Sequence, residues 1–240
     1  MPGDLEGTAA IVTGASSGIG RATASALSDA GARIVLAARS EDRITALADD
    51  LGTDAIAVPT DVRDERDVET LVERTVETFG GVDTLVNNAG LGLGSSVEDL
   101  STADYRQMME TNVDGMFFTT RAALPHLRES AGTAVFIGSF AGQYPRSFNP
   151  VYAATKWWTR GFAKSLSAQA GEEVAVTVVN PSEVRTEFGS EEGESFAGRF
   201  EEGEVTEPEE VAEAVVFAAE RSPSMVSELD LFRRDKFTGL

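Results

Sequence analysis

The chain has 240 residues, 42% hydrophobic and 25% charged, which is enough apolar material for one sizeable core and too little charge for global disorder. With no cysteine and a single histidine, His126, it cannot build a disulfide, a Cys/His zinc site, an iron–sulfur cluster or a multi-histidine metal centre, so no metal is expected. Forty acidic against 20 basic residues give a formal net charge of −20, with Lys156, Lys164 and Lys236 the only lysines, a surface that repels nucleic acid and anionic membranes.

Ala9 to Val12 is a short apolar run that leads into a glycine-rich turn, and residues 18 to 30 follow with apolar groups at helical intervals (Ile19, Ala22, Ala26) and Gly31 as a stop signal. The alternation continues. Ile34 to Ala38 reads as strand, 41 to 51 as helix, Ala55 to Val58 as strand, Asp64 to Phe79 as helix and Val82 to Val86 as strand. Thr102 to Arg128 reads as one long helix, Thr133 to Ile137 as strand, Val151 to Ala170 as helix, Val174 to Val179 as strand, Glu207 to Glu220 as helix and Ser227 to Leu231 as a last strand. Continuous apolar strands alternating with amphipathic helices predict an α/β fold, a single-domain, doubly wound parallel sheet of about seven strands with helices on both faces. Residues 187 to 204 break the pattern with seven Glu and four Gly, and a long loop after a late strand of such a sheet predicts a substrate lid. Residues Met1 to Ala10 carry no leader pattern, and no run of roughly 18 apolar residues exists, so a cytoplasmic protein without a membrane span is expected.

A net charge of this size exceeds the magnitude of about 2 to 8 that keeps a small domain soluble. It points to life in molar salt, where a Debye length of roughly 3 Å stops the carboxylates from repelling one another.

The first strand runs into Thr13-Gly14-Ala15-Ser16-Ser17-Gly18-Ile19-Gly20 and then a helix, so backbone amides and a helix N-terminus converge where a diphosphate can sit. Gly14, Ser16, Ser17, Gly18, Ile19 and Gly20 are therefore candidate cofactor contacts. At the end of the second strand, where NAD-binding units place an acid against the ribose hydroxyls, this chain has Arg39-Ser40. A guanidinium pairs with a 2′-phosphate, so NADP(H) is expected ahead of NAD(H). Tyr152 and Lys156 stand at i and i+4 on one helix, a phenol beside an ammonium and a plausible acid/base pair. Gly14 to Gly18 also matches the G-x-S-x-G elbow of serine hydrolases, but that chemistry needs a late histidine and His126 lies mid-chain, where it reads as a surface or interface residue at a helix end.

Taken together, the Thr13 to Gly20 turn, Asn87-Asn88-Ala89-Gly90, Asn112, Ser139 and Tyr152 with Lys156, in this order, resemble the short-chain dehydrogenase/reductase family over essentially the whole chain. The resemblance implies hydride transfer between a nicotinamide and a carbonyl or secondary alcohol, with Tyr152 as general acid/base and Ser139 bonding the carbonyl oxygen. It also implies that Lys156 binds the nicotinamide ribose and lowers the phenol pKa, and that Asn112 holds a water that links Lys156 to solvent. Asp61 and Val62 are placed at the adenine, Asn88, Ala89 and Gly90 near the adenosine ribose, and Pro181, Val184 and Thr186 near the carboxamide. Ser182 stands where the family usually has glycine. The last strand resembles that of the carbonyl and 3-hydroxy-acid reductase branch. A homodimer or homotetramer is implied, with Trp157 or Trp158 at an interface or pocket rim. The alternatives are a 3-ketoacyl thioester reductase and an NADP(H)-binding sensor or scaffold without turnover.

The expected substrate wall is Leu91, Leu93, Phe140, Gln143, Tyr144, Phe148, Asn149, Glu183 and Phe188, a mixture that favours neutral or cationic carbonyl compounds. An anionic substrate needs a local cation, and Arg146 and Arg185 are the nearby candidates.

Overall fold

The structure, a computed structural model, describes residues 5–188 and 195–237. Seven strands, β1 (Ala9–Thr13), β2 (Arg33–Ala38), β3 (Ala55–Pro59), β4 (Thr84–Asn87), β5 (Thr133–Ile137), β6 (Ala175–Pro181) and β7 (Glu228–Leu231), form one sheet in the order β3-β2-β1-β4-β5-β6-β7. Every pairing is parallel. The helices are α1 (Gly18–Asp29), α2 (Glu41–Leu51), α3 (Glu65–Phe79), α4 (Thr102–Met109), α5 (Gly115–Ser130), α6 (Pro150–Ala170), α7 (Phe196–Arg199) and α8 (Pro208–Ala219).

Successive strand residues point to opposite faces, and both faces are dry. Ala10, Val12, Ile34 and Leu36 pack with Leu27 of α1, Ile44 of α2 and Val211 and Val215 of α8. Ile11, Val35 and Ala37 pack on the other side with Leu71 of α3, Met116 and Leu127 of α5 and Leu166 of α6. The chain winds outward in one direction from β1 to β3 and in the other from β4 to β7. The carboxyl ends of β1 and β4 therefore splay apart at the centre of the sheet, where such folds leave a crevice.

Local chemistry sets the helix limits. The Asp64 carboxylate accepts from Arg66 N at 2.9 Å at the start of α3, and Gly80 closes that helix in the left-handed region at φ 88°. Glu207 and Glu210 form a reciprocal capping box ahead of Pro208 in α8.

Three sequence expectations need correction. The single helix expected over Thr102–Arg128 is two, because Glu110–Asp114 forms a π-helical turn between α4 and α5. One extra residue in the turn leaves the apolar spacing almost unbroken, so periodicity does not reveal it. The fourth strand starts at Thr84 rather than Val82, since the Asp83 carboxylate takes the Ala9 N–H at 2.8 Å and ends the ladder there. Within 187–204, the residues from Ser195 on are not patternless: the Ser195 hydroxyl caps the short helix α7. Residues 189–194 of that segment lie outside the described residues. No described helix is long and apolar enough to cross a membrane.

Candidate active site

A cleft of about 620 Å³ opens along the carboxyl ends of β1 to β6. Of the residues read as cofactor contacts, Gly14, Ser16, Ser17, Gly18, Ile19, Arg39, Ser40, Asp61, Val62, Asn88, Ala89, Gly90, Tyr152, Lys156, Pro181, Val184 and Thr186 all line it. Gly20 does not.

Gly20 lies beneath the turn: a Cβ there would stand 2.2 Å from the Gly14 carbonyl oxygen. Gly14 itself has φ +66°, and its Cβ would meet Asn88 Nδ2 at 2.8 Å. The turn is braced from β4. Asn88 Nδ2 donates to the carbonyl oxygens of Thr13 at 2.8 Å and Gly14 at 3.3 Å, and Thr13 Oγ1 accepts from the amides of Asn88 and Ala89 at 3.0 Å each. Ser17, the N-cap of α1, makes no side-chain cap hydrogen bond. The glycine cradle and the uncapped amides fit a diphosphate, which accepts hydrogen bonds at short range and carries the charge that the helix dipole favours.

At the far end of β2, Arg39 is exposed and forms no ion pair among the described residues. Its neighbours are committed. The Arg63 guanidinium grips both oxygens of Asp61, with Nε at 2.9 and 3.1 Å, and holds that carboxyl below its usual range. Arg43 Nη1 donates to Glu187 at 3.0 Å.

Ser139 ends β5 and caps a 3-10 turn, Phe140–Gly142, accepting from Ala141 N at 3.1 Å. Tyr152, in the first turn of α6, lines the same cleft as Ser139. Burial pushes the phenol above its ordinary pKa, while the nearby Ser139 hydroxyl and the charge of Arg146 pull it down. Lys156, one turn later, is buried; its Nζ donates to the Ile137 carbonyl at 2.8 Å and lies 6.0 Å from the Tyr152 ring centre. Desolvation lowers its pKa to about 8. The sequence reading has the lysine lowering the phenol pKa, whereas in the structure Ser139 and Arg146 lower it against a larger effect of burial.

Asn112, in the π turn, does not line the cleft and its exposure is 1%. Its Oδ1 accepts from Leu91 N at 2.9 Å, and its Nδ2 donates to Leu91 O at 2.8 Å and to Thr155 Oγ1 at 3.1 Å. Both Nδ2 donors are thus committed to holding the loop after β4 against α6, while Oδ1 keeps a second lone pair.

The expected substrate wall divides. Leu91, Phe148, Asn149, Glu183 and Phe188 line the cleft, whereas Leu93, Phe140, Gln143 and Tyr144 do not. Phe140 and Tyr144 stack at 4.3 Å under Phe232 and Phe237, and Gln143 Nε2 donates to Glu228 at 3.1 Å and Asp230 at 2.7 Å. Those side chains tie the loop after β5 to the C-terminal strand. In their place Phe196, Arg199 and Phe200 reach the cleft, with Phe188 5.8 Å from the Tyr152 ring and 5.9 Å from Phe196. Phenylalanines spaced by four in an acidic segment were the available signal. Ser182, at the glycine position, accepts from Arg233 N at 3.2 Å and so anchors the C-terminal segment. Trp157 is exposed, and Trp158 stacks on Phe162 at 4.7 Å. His126 sits on the α5 surface 3.7 Å from Glu129.

A family model described as short chain dehydrogenase matches residues 8–196. The chain is 38% identical over 221 residues to sulfoacetaldehyde reductase 2 of Chromohalobacter salexigens, covering 87% of each. It is 36% identical over 215 residues to an uncharacterized oxidoreductase of Staphylococcus aureus, covering 87% of this chain and 89% of that one. Among solved structures, an alcohol dehydrogenase of Thermococcus sibiricus complexed with 5-hydroxy-NADP superposes with a TM-score of 0.87 at 33% identity, over 94% of this chain and 96% of that one. A 3-ketoacyl-(acyl-carrier-protein) reductase of Brucella melitensis complexed with NADH gives 0.85 at 30% identity, over 94% and 97%.

Proposed function

The chain belongs to the short-chain dehydrogenase family and is an oxidoreductase, and on that premise we propose that it is an NADP(H)-dependent carbonyl reductase with Tyr152 as its general acid/base. The observation that carries this reading is the convergence in one cleft of the Ser139–Tyr152 hydroxyl pair, Lys156 one turn along the same helix, and the glycine cradle at α1.

The solved relatives bound to NADH and to an NADP analogue support a nicotinamide cofactor. When bound, that cofactor supplies or accepts the hydride. The diphosphate falls to Gly14 to Ile19 and the ribose phosphate to Arg39 and Ser40. Pro181, Val184 and Thr186 at the end of β6 hold the nicotinamide end. On this reading Ser139 and Tyr152 each supply an O–H donor to the oxygen of a carbonyl, which gains charge as its carbon is reduced. Tyr152 then passes its proton to that oxygen and is left as phenolate, and Lys156, charged at neutral pH and anchored on Ile137, stabilises that anion. Asn112 acts one step back by fixing Leu91 and α6. Phe188, Phe196 and Phe200, from the described parts of 187–204, keep the reacting end dry and serve as the substrate cover.

The names of the reductase relatives, one for an aldehyde and one for a 3-ketoacyl group, favour reduction as the working direction. Exposed Phe117 on α5 and Trp157 on α6 suit contact with a second copy, in a homodimer or homotetramer in the cytoplasm.

The test is initial rates of NADPH oxidation against aldehydes, ketones, keto acids and 3-ketoacyl thioesters, with NADH and Tyr152→Phe as controls. The expectation is turnover of one class, lost at least about 100-fold in the mutant while NADPH still binds. A mutant as fast as the wild type overturns the mechanism. NADPH binding without turnover of any class moves the assignment to a sensor or scaffold.

A further inference from the structure

The charge of the cleft runs against that of the protein. Among the described residues, six cationic side chains line it (Arg39, Arg43, Arg63, Arg146, Lys156 and Arg199) against three carboxylates (Asp61, Glu183 and Glu187), in a chain with 40 acids and 20 bases. At the nucleotide end two of the cations are neutralised locally, Arg63 by Asp61 and Arg43 by Glu187.

On the reacting side the balance differs. Glu183 is held in a close ion pair by Lys236, and Arg146 stands 3.7 Å from the same Oε1, so one carboxylate serves two cations. The other oxygen, Oε2, is sealed from solvent and has no hydrogen-bond partner. Arg146 donates no hydrogen bond among the described residues. Its guanidinium lies over the rings of Phe140 at 4.9 Å and Phe148 at 5.4 Å, and its Nη2 faces Glu183 at a distance too long for a hydrogen bond. The other cation considered from the sequence, Arg185, is spent: its Nε meets both oxygens of Glu207 at 2.9 and 3.0 Å, and it lies outside this cleft.

We propose that the carbonyl substrate carries an anionic group, a carboxylate or a chemically similar sulfonate or phosphate, which the Arg146 guanidinium binds while Ser139 and Tyr152 hold the carbonyl oxygen. Arg146 is then a specificity-determining residue that rests on the reductase reading above. The neutral or cationic preference read from the sequence gives way, because the one acid of that wall, Glu183, is already paired. Phe148, Phe188 and Phe200 line the same cleft, and their apolar rings suit a short carbon chain.

The test compares 4-oxobutanoate with its methyl ester, at saturating NADPH and the lowest salt at which the protein stays folded, in wild type, Arg146→Gln and Arg146→Lys. Wild type should favour the acid over the ester in kcat/KM by about tenfold or more. Arg146→Gln should bring the ratio to about one, mainly through the KM of the acid, while Arg146→Lys keeps part of the preference. Calorimetry with butanoate as a non-reacting probe should show the same loss of affinity in the NADPH-bound Gln variant. A wild type that turns over the ester as well as the acid, or a Gln variant that keeps the preference, overturns the inference and leaves the reductase intact. If NADPH binds and no carbonyl compound is reduced, the reductase reading itself has failed and the inference falls with it.

Discussion

Arg39 offers the sharpest test of cofactor choice. It is exposed, stands where β2 meets α2 and makes no ion pair among the described residues, so replacing it breaks no ion pair there. A charge-assisted hydrogen bond contributes about 1.5 to 3 kcal/mol, and solvent exposure puts Arg39 at the low end. About 1.5 to 2 kcal/mol corresponds to a roughly 10- to 30-fold weaker Kd for NADPH in Arg39→Ala. NADH, which lacks the 2′-phosphate, should bind equally well to both proteins. In Arg39→Asp the attraction becomes repulsion and the carboxylate gains the ribose hydroxyls, so the preference for NADPH over NADH should swing by about 100-fold or more. Isothermal titration of both cofactors reads this directly, and the NADPH effect should shrink in 1 M salt, as a screened contact must. Equal weakening of NADPH and NADH in Arg39→Ala would show that the guanidinium touches a part common to both. A wild type that prefers NADH would refute the reasoning from Arg39 altogether.

Three further outcomes are expected. Asn112→Ala removes three hydrogen bonds and strands the Leu91 amide and carbonyl, so chemical denaturation should show a loss of about 3 kcal/mol, and a loss below about 1 would deny Asn112 its positioning role. Lys156 has a folded pKa near 8 against 10.5 when unfolded, so the unfolded state binds the extra proton between those values and stability rises with pH across that window. Lys156→Met escapes the penalty, and its thermal midpoint should exceed that of wild type most below pH 8, with the gap closing as pH rises towards 10.5; a gap constant with pH would contradict the burial argument. The net charge of −20 predicts a higher thermal midpoint in molar KCl than in dilute buffer, and an unchanged or lower one sinks the salt argument.

Much of this fold could be read directly, because each buried strand is a short apolar run and each helix is punctuated by glycine or a cap. The glycine turn and the Tyr152–Lys156 spacing were legible for a related reason: close backbone approach and one helix face are local properties. What escaped was decided across the fold. The π turn hides because its apolar residues still fall near helical spacing. Phe140 and Tyr144 have the chemistry of a substrate wall but are claimed by Phe232 and Phe237, about 90 residues away in sequence, a long-range pairing that no local pattern announces. Phe196 and Phe200 sit in an acidic segment whose composition masks their place in the cleft.

The turn at Glu110–Asp114 also separates what the fold prefers from what the site requires. Losing one residue between Asn112 and Gly115 would let α4 and α5 merge into a single regular helix with a better-formed hydrogen-bond ladder. Helix α5 is pinned by Met116, Ala123 and Leu127, whereas α4 buries only Met108, so the rotation of about 100° per deleted residue would fall on the α4 side. Asn112 would turn with it, away from Leu91 and Thr155. Such a deletion yields a chain that folds as an α/β domain yet has lost the brace behind its acid/base pair.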